Sequence, residues 1–296
     1  HPEASLCTRG TARHTGNLRP RRVSVMEFPY TPVIGLARTV FFLQGLRFTI
    51  VGEENVPTMG GAVMAINHTG YFDFTYAGLA ARRSRRLVRF MAKKSVFGRK
   101  VTGPLMRGMK HIPVDRHAGV ASFEQALAAV RGGEIVGVFP EATMSRSFEL
   151  KPFKTGAARI AQDGGVPLLP TTVWGSQRVW TKEAPKNLGR SNTAIHVTVG
   201  APIHVAPDDD PAEVTEVLRE RMSEQLLAQQ EAYPQLTGTD LRYLPARLGG
   251  TAPTPEEAAS RDHHDMTRTV DKFNRGRSRA SCCGRGAGRG PRRARA

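Results

Sequence analysis

Cysteine is nearly absent from this 296-residue chain: Cys7, Cys282 and Cys283 lie near the ends, and none falls between them. The body is therefore neither a disulfide scaffold nor a cysteine-built metal site, which fits a reducing compartment. Long apolar runs are missing too. The most apolar stretch, residues 31–51, is interrupted by Arg38, Gln44 and Arg47, and a multi-span membrane protein is excluded. There is also no Gly-rich loop ending in Lys-Ser/Thr, no GxGxxG behind a strand, no HExxH and no CxxC, so the usual nucleotide-cradling and metal-site signatures are lacking. What remains is 40% apolar with a mean hydropathy of -0.35, long enough for one large α/β domain or two small ones.

Acidic residues are also sparse, and their distribution carries information. The formal net charge is +17. Residues 1–25 hold five Arg and one Glu, and residues 271–296 hold nine Lys or Arg and one Asp, so the two ends supply +12 of the total. Between them, residues 74–114 contain eleven basic side chains and no acidic one, which leaves the rest of the body net negative. A segment so one-sided needs either a solvated face or an anionic partner, and over 82–110 the partner expected is an anionic lipid surface or the phosphates of a bound co-substrate. Nucleic acid is not expected, because basic and aromatic residues are not interleaved through the body. A non-catalytic basic adaptor for anionic lipid or nucleic acid stays as an alternative, resting on the Arg/Gly-rich end alone.

The order of elements predicts an α/β fold with a mainly parallel central sheet flanked by helices. Residues 62–66, 135–139, 166–173 and 195–199 read as short buried strands. Between them, residues 122–130 and 155–163 have helical spacing and glycine stops. Asp210 and Pro211 open a further helix with an apolar stripe of Val214, Val217, Leu218, Met222 and Leu226. Residues 1–25 read as a disordered basic extension and 26–235 as the functional domain, beginning with an apolar helical element at about 32–48. Residues 236–296 read as a Pro/Gly/Arg-rich tail, mostly disordered and wholly so from about 250.

The strand at 62–66 runs directly into Asn67-His68-Thr69-Gly70-Tyr71-Phe72-Asp73. A histidine and an aspartate five positions apart make a base and its orienting carboxylate only if they meet in space. Within one helix five positions turn about 140° away, so the pair works only with His68 on the loop leaving the strand and Asp73 in the first helical turn. That places the imidazole beyond the carboxyl end of a strand, where open α/β sheets bind ligands. The spacing alone is weak. Nine His and ten Asp in this length give about 0.3 such pairs by chance, and His204 to Asp209 is a second instance beside a helix cap.

Three further blocks follow in order: His111-Ile112-Pro113-Val114-Asp115-Arg116, Phe139-Pro140-Glu141-Ala142-Thr143 and Val166-Pro167-Leu168-Leu169-Pro170. With Asn67 to Asp73 they resemble the glycerolipid acyltransferase family of the lysophosphatidic acid acyltransferase type, over roughly residues 30–205. Met91-Ala92-Lys93 and Phe153-Lys154-Thr155-Gly156 are similar to the family as well. Two positions depart from its pattern: Ala142 stands where glycine is usual, and Met144 where arginine commonly follows the threonine.

The resemblance implies direct acyl transfer without a covalent acyl-enzyme. His68 would be general base and Asp73 its partner. The donor would be acyl-CoA or acyl-carrier protein, with no cofactor, and the acceptor the free hydroxyl of 1-acylglycerol 3-phosphate, giving phosphatidic acid. Asn67, Lys93, Arg116, Glu141 and Thr143 would bind substrate, with Arg146 taking over the phosphate contact that Met144 lacks. Other acceptors, namely glycerol 3-phosphate, a lysophospholipid or a non-phosphorylated alcohol, stay open. The expected location is the cytoplasmic face of the cell membrane, peripheral or monotopic.

Overall fold

A computed structural model describes residues 30–115, 119–265 and 267, and the expectations for residues 1–25 and for Arg116 lie outside them. The chain alternates helices and strands: α1 (Tyr30–Leu43), β1 (Arg47–Val51), β2 (Ala62–Ile66), α2 (Asp73–Ala80), β3 (Val88–Lys93), α3 (Lys94–Phe97), α4 (Thr102–Gly108) and β4 (Ile112–Val114). There follow α5 (Gly119–Arg131), β5 (Ile135–Val138), α6 (Gly156–Gly164), β6 (Leu168–Trp174), β7 (Ala194–Val199) and α7 (Pro211–Glu231). A last helix, α8, covers 255–265.

The strands form one sheet in the order β1-β7-β6-β2-β5-β3-β4. Every neighbouring pair is parallel except β6 and β7. This is the mainly parallel, helix-flanked α/β architecture the sequence predicts. Central strands covered on both faces should be apolar throughout, and β2 and β6 are buried at every residue.

The two faces of β2 divide the core. Ala62, Met64 and Ile66 pack with Phe41 of α1 and with Tyr76, Ala77 and Ala80 of α2. Val63 and Ala65 pack on the other side with Ala126 and Val130 of α5, Ile160 of α6, and Leu218 and Met222 of α7. Helix α7 starts where expected: Asp210 accepts the Ala212 N–H at 2.9 Å and Pro211 follows.

Two boundaries differ from expectation. The apolar element at 32–48 is not one helix: α1 ends at Leu43, and from Arg47 the chain is β1, parallel to β7. An alternating strand and a helix stripe cannot be separated by composition when both are rich in Val, Ile, Leu and Phe. The tail beyond 235 is also structured over its described part. Leu236, Tyr243 and Ala252 join Phe148, Trp174, Leu226 and Tyr233 in a third apolar cluster. Short 3-10 turns at Gly238–Tyr243 and Ala246–Leu248 carry the chain to α8. A Pro- and Gly-rich composition read as disorder, but a few large apolar anchors suffice to fix such a segment. Among the described residues, no helix is long and apolar enough to cross a membrane.

Candidate active site

The fully buried β2 delivers the chain to its carboxyl end at Ile66, where Asn67 braces it against the neighbouring strand. Its amide nitrogen donates to the Val173 carbonyl (3.1 Å), and its oxygen accepts the Val173 N–H (2.7 Å). A substrate contact was expected of Asn67, but its side chain is completely buried and spends both its oxygen and its nitrogen on the Val173 backbone, so it positions the next residue.

His68 then occupies the loop and Asp73 the first residue of α2. Their side chains meet, Nδ1 of His68 lying 3.0 Å from Oδ2 of Asp73. That same oxygen accepts the Thr69 N–H (2.7 Å) and the Gly70 N–H (2.8 Å). Oδ1 accepts a short hydrogen bond from the Ser176 hydroxyl. Four hydrogen bonds on one fully buried side chain hold it immobile at the start of α2. The His68 side chain keeps 24% of its surface exposed, and its ring lies 4.4 Å from that of Phe139. With Nδ1 committed to Asp73, the basic nitrogen left for a substrate hydroxyl is Nε2.

Ser176 is a site residue that sequence reasoning missed. It opens a 3-10 turn (Ser176–Arg178) directly after β6, the strand beside β2, so its position at the carboxyl edge was a readable signal. The approach is tight. A Cβ on Gly70 would come within 2.5 Å of Ser176 Oγ, and one on Gly175 (φ +97°) within 2.1 Å of the Ala194 carbonyl oxygen. Glycine at 70 lets the His68 loop sit against the turn, and glycine at 175 lets the turn sit against β7.

The Phe139–Thr143 block supports this loop from below. Glu141 is buried, its Oε1 accepting the His68 N–H at 2.8 Å and its Oε2 the Lys151 N–H at 3.1 Å. Burial pushes its carboxyl up to about 8, against the opposing pull of those two backbone N–H groups. Glu141 therefore fixes the backbone at His68, a correction to its expected contact with substrate, since both of its oxygens are engaged inside the protein. Ala142 has φ +59°, a left-handed conformation that explains why glycine suits this position. Met144 is buried, with Thr181 Oγ1 3.5 Å from its sulfur, while that hydroxyl also lies 2.6 Å from the Thr69 carbonyl oxygen.

Beside this loop three cations converge. Arg146 is buried, and its guanidinium meets Glu183 (2.9 Å) together with Asp262 and Asp265 of α8. Lys151 Nζ reaches Thr143 Oγ1 (2.6 Å) and Asp262, and Lys182 Nζ lies 3.6 Å from Asp262. Burial and the neighbouring Arg146 and Lys151 lower the Lys182 ammonium to about 8. Thr143 and Arg146, of which a substrate contact was expected, both lie in this cluster, where Arg146 already holds carboxylates. Lys151 and Lys182 were not foreseen, because nothing in their spacing marks them.

Lys93 is exposed at the end of β3, two strands along from β2, on the same carboxyl edge as His68 and about 10 Å across the sheet. The basic segment 82–110 is not wholly a surface feature. Arg86 turns inward onto the Pro57 (3.1 Å) and Gly60 (2.8 Å) carbonyls, and Arg89 forms a two-point contact with Glu134 at 3.2 Å. Arg82, Arg83, Arg85, Lys94, Arg99, Lys100, Arg107 and Lys110 are exposed.

A carboxylate-oriented imidazole thus stands at the carboxyl end of a buried parallel strand, with a cluster of cations alongside. Residues 47–174 match the protein family described as Acyltransferase. The 1-acyl-sn-glycerol-3-phosphate acyltransferase of Bacillus subtilis (strain 168) is 32% identical over 182 residues, which is 59% of this chain and 86% of that protein. A protein of the same name from Borreliella burgdorferi is 24% identical over 193 residues, 62% of this chain and 74% of its own length. The solved 1-acyl-sn-glycerophosphate (LPA) acyltransferase of Thermotoga maritima shares the fold with a TM-score of 0.56. It is 19% identical, and the match covers 69% of this chain and 81% of that one. The chain belongs to the acyltransferase family and is an acyltransferase of the lysophosphatidic acid acyltransferase type. The non-catalytic adaptor alternative gives way to this membership.

Proposed function

We propose that the protein transfers a fatty acyl group from an acyl thioester, acyl-CoA or acyl-carrier protein, to the free hydroxyl of 1-acylglycerol 3-phosphate. The observation that carries this reading is the 3.0 Å contact between His68 Nδ1 and Asp73. It leaves Nε2 as the base. Nε2 takes the hydroxyl proton while the oxygen attacks the thioester carbonyl carbon, and the Asp73 carboxylate stabilises the imidazolium that forms. When the tetrahedral intermediate collapses, the C–S bond breaks and the imidazolium proton goes to the departing thiolate. The new ester is phosphatidic acid. No serine or cysteine nucleophile is needed, and Ser176 serves Asp73 instead.

The acceptor's phosphate is assigned to the cations beside Thr143, with Lys151 and Arg146 as its main partners. Placement at the cytoplasmic face of an anionic membrane is supported by the exposed basic residues of 82–110. The outward apolar side chains of α1 support it too: Leu36, Val40, Leu43 and Phe42, the last 83% exposed.

The test uses purified protein, one acyl-CoA and 1-acylglycerol 3-phosphate, and follows thiol release. His68→Ala should lose nearly all turnover. Retention of wild-type turnover by that variant would remove His68 as the base, and turnover with glycerol 3-phosphate or a non-phosphorylated alcohol alone would replace the acceptor.

A further inference from the structure

The cation cluster beside the His68 loop is filled by the protein itself. Asp262 accepts from the Arg146 guanidinium and from the Lys151 ammonium, and lies 3.6 Å from the Lys182 nitrogen. Asp265, one turn on, takes the other arm of Arg146. These cations are carried by segments bonded directly to the loop that holds His68. The Lys151 N–H donates to Glu141, which also holds the His68 N–H; the Ser145 N–H donates to the His68 carbonyl at 2.7 Å; Thr181, next to Lys182, bonds the Thr69 carbonyl. A carboxylate with two oxygens shared among three cations takes the position that a phosphate would take.

The element carrying these carboxylates is attached lightly. Helix α8 forms on its own terms: Thr254 and Glu257 make a reciprocal capping box, with contacts of 3.2 and 3.3 Å, and Pro255 stands at its first position. Of its described residues only Ala258 is buried, the rest being exposed or partly so. Its hold on the body is therefore mainly the ion pairs of Asp262 and Asp265, with that of Arg261 to Glu183 (3.1 Å). Contacts of this kind exchange readily for another anion, whereas a buried apolar face would not.

We propose that α8 is an internal plug: Asp262, backed by Asp265, occupies the phosphate subsite formed by Arg146, Lys151 and Lys182, and a phosphomonoester acceptor binds only by displacing it. The proposal rests on the reading of this cluster as the acceptor's phosphate site. Its consequence is competition. The apparent affinity for acceptor is reduced by the fraction of molecules in which α8 is docked, while the chemistry at His68 is untouched once the acceptor is in place.

The test compares the full chain with two variants, Asp262→Asn/Asp265→Asn and Ala259→Pro. The first removes the charges of the plug. The second unwinds α8 and keeps both carboxylates in the chain. Each should lower KM for 1-acylglycerol 3-phosphate by about tenfold or more at unchanged kcat. Calorimetric binding of glycerol 3-phosphate should tighten by the same factor. Inorganic phosphate run in parallel separates recognition of the phosphate alone from recognition of the glycerol ester. Wild-type KM and wild-type affinity in both variants, with acyl transfer intact, would overturn the plug and leave the acceptor assignment standing. Absence of any turnover or binding of phosphorylated acceptors in all three proteins would overturn both.

Discussion

Replacing Asp73 by Asn separates the charge of the site from its architecture. In the folded protein Oδ2 accepts three N–H donors, from His68, Thr69 and Gly70, and Oδ1 accepts only the Ser176 hydroxyl. An asparagine with its oxygen in the Oδ2 position keeps all three N–H bonds. Its NH2 then faces Ser176, whose hydroxyl can turn to accept one of the two N–H groups, leaving the second buried donor unsatisfied. The expected loss of stability is about 1–3 kcal/mol, that of one unsatisfied buried donor. The expected loss of activity is far larger, because the full negative charge that stabilises the imidazolium has gone. We expect kcat to fall about 10³-fold, or ~4 kcal/mol of transition-state stabilisation. Urea unfolding followed by fluorescence gives the first quantity, and thiol release at saturating substrates gives the second. A folded Asp73→Asn protein with more than a tenth of wild-type kcat would refute the role assigned to the pair.

Other perturbations read neighbouring parts of the site. Ser176→Ala removes one of the four donors to Asp73, and kcat should fall about tenfold with KM little changed, as a positioning role requires; an unaltered kcat would make the hydroxyl merely structural. His111 is buried, with Nδ1 accepting the Phe90 N–H at 3.0 Å, and burial together with Arg89 lowers its pKa to about 4. The unfolded chain takes up that proton near pH 6.5. The stabilisation present above 6.5 is therefore lost as the pH falls toward 4, on the order of 3 kcal/mol. Urea midpoints across that window should show the decline, and a His111→Gln protein should lack that part of it. Ala142→Gly should relieve the left-handed strain at φ +59° and raise stability by roughly 0.5–1 kcal/mol, visible as a higher Tm.

Much of this was legible in the amino-acid order. Strands β2, β5, β6 and β7 and helices α5, α6 and α7 announce themselves through apolar runs and turn residues, since burial on both sheet faces leaves no room for polar side chains there. Edge strands β1 and β4 and the short α3 and α4 carry no comparable pattern, because residues that are only half buried need not be apolar. His68 and Asp73 were found for a related reason. A base must lie where a buried strand opens to solvent, and its carboxylate must follow within reach of the next helix start.

The sequence by itself determined the parallel α/β frame and the strand-to-helix corner, because these follow from local periodicity, and the ordered blocks around that corner singled out His68 and Asp73 as the candidate pair. Tertiary structure alone decided which polar residues of these blocks spend their hydrogen bonds inside the protein. Asn67 and Glu141 sit within or beside the recognisable blocks yet spend their hydrogen bonds on the Val173, His68 and Lys151 backbones. Ser176, Lys151 and Lys182 converge on the site from positions with no signature of their own, and Asp262 arrives from 111 residues beyond Lys151. Hydrogen bonds and ion pairs are satisfied by whatever partner the fold brings near, at any separation along the chain. For that reason no local pattern could assign them.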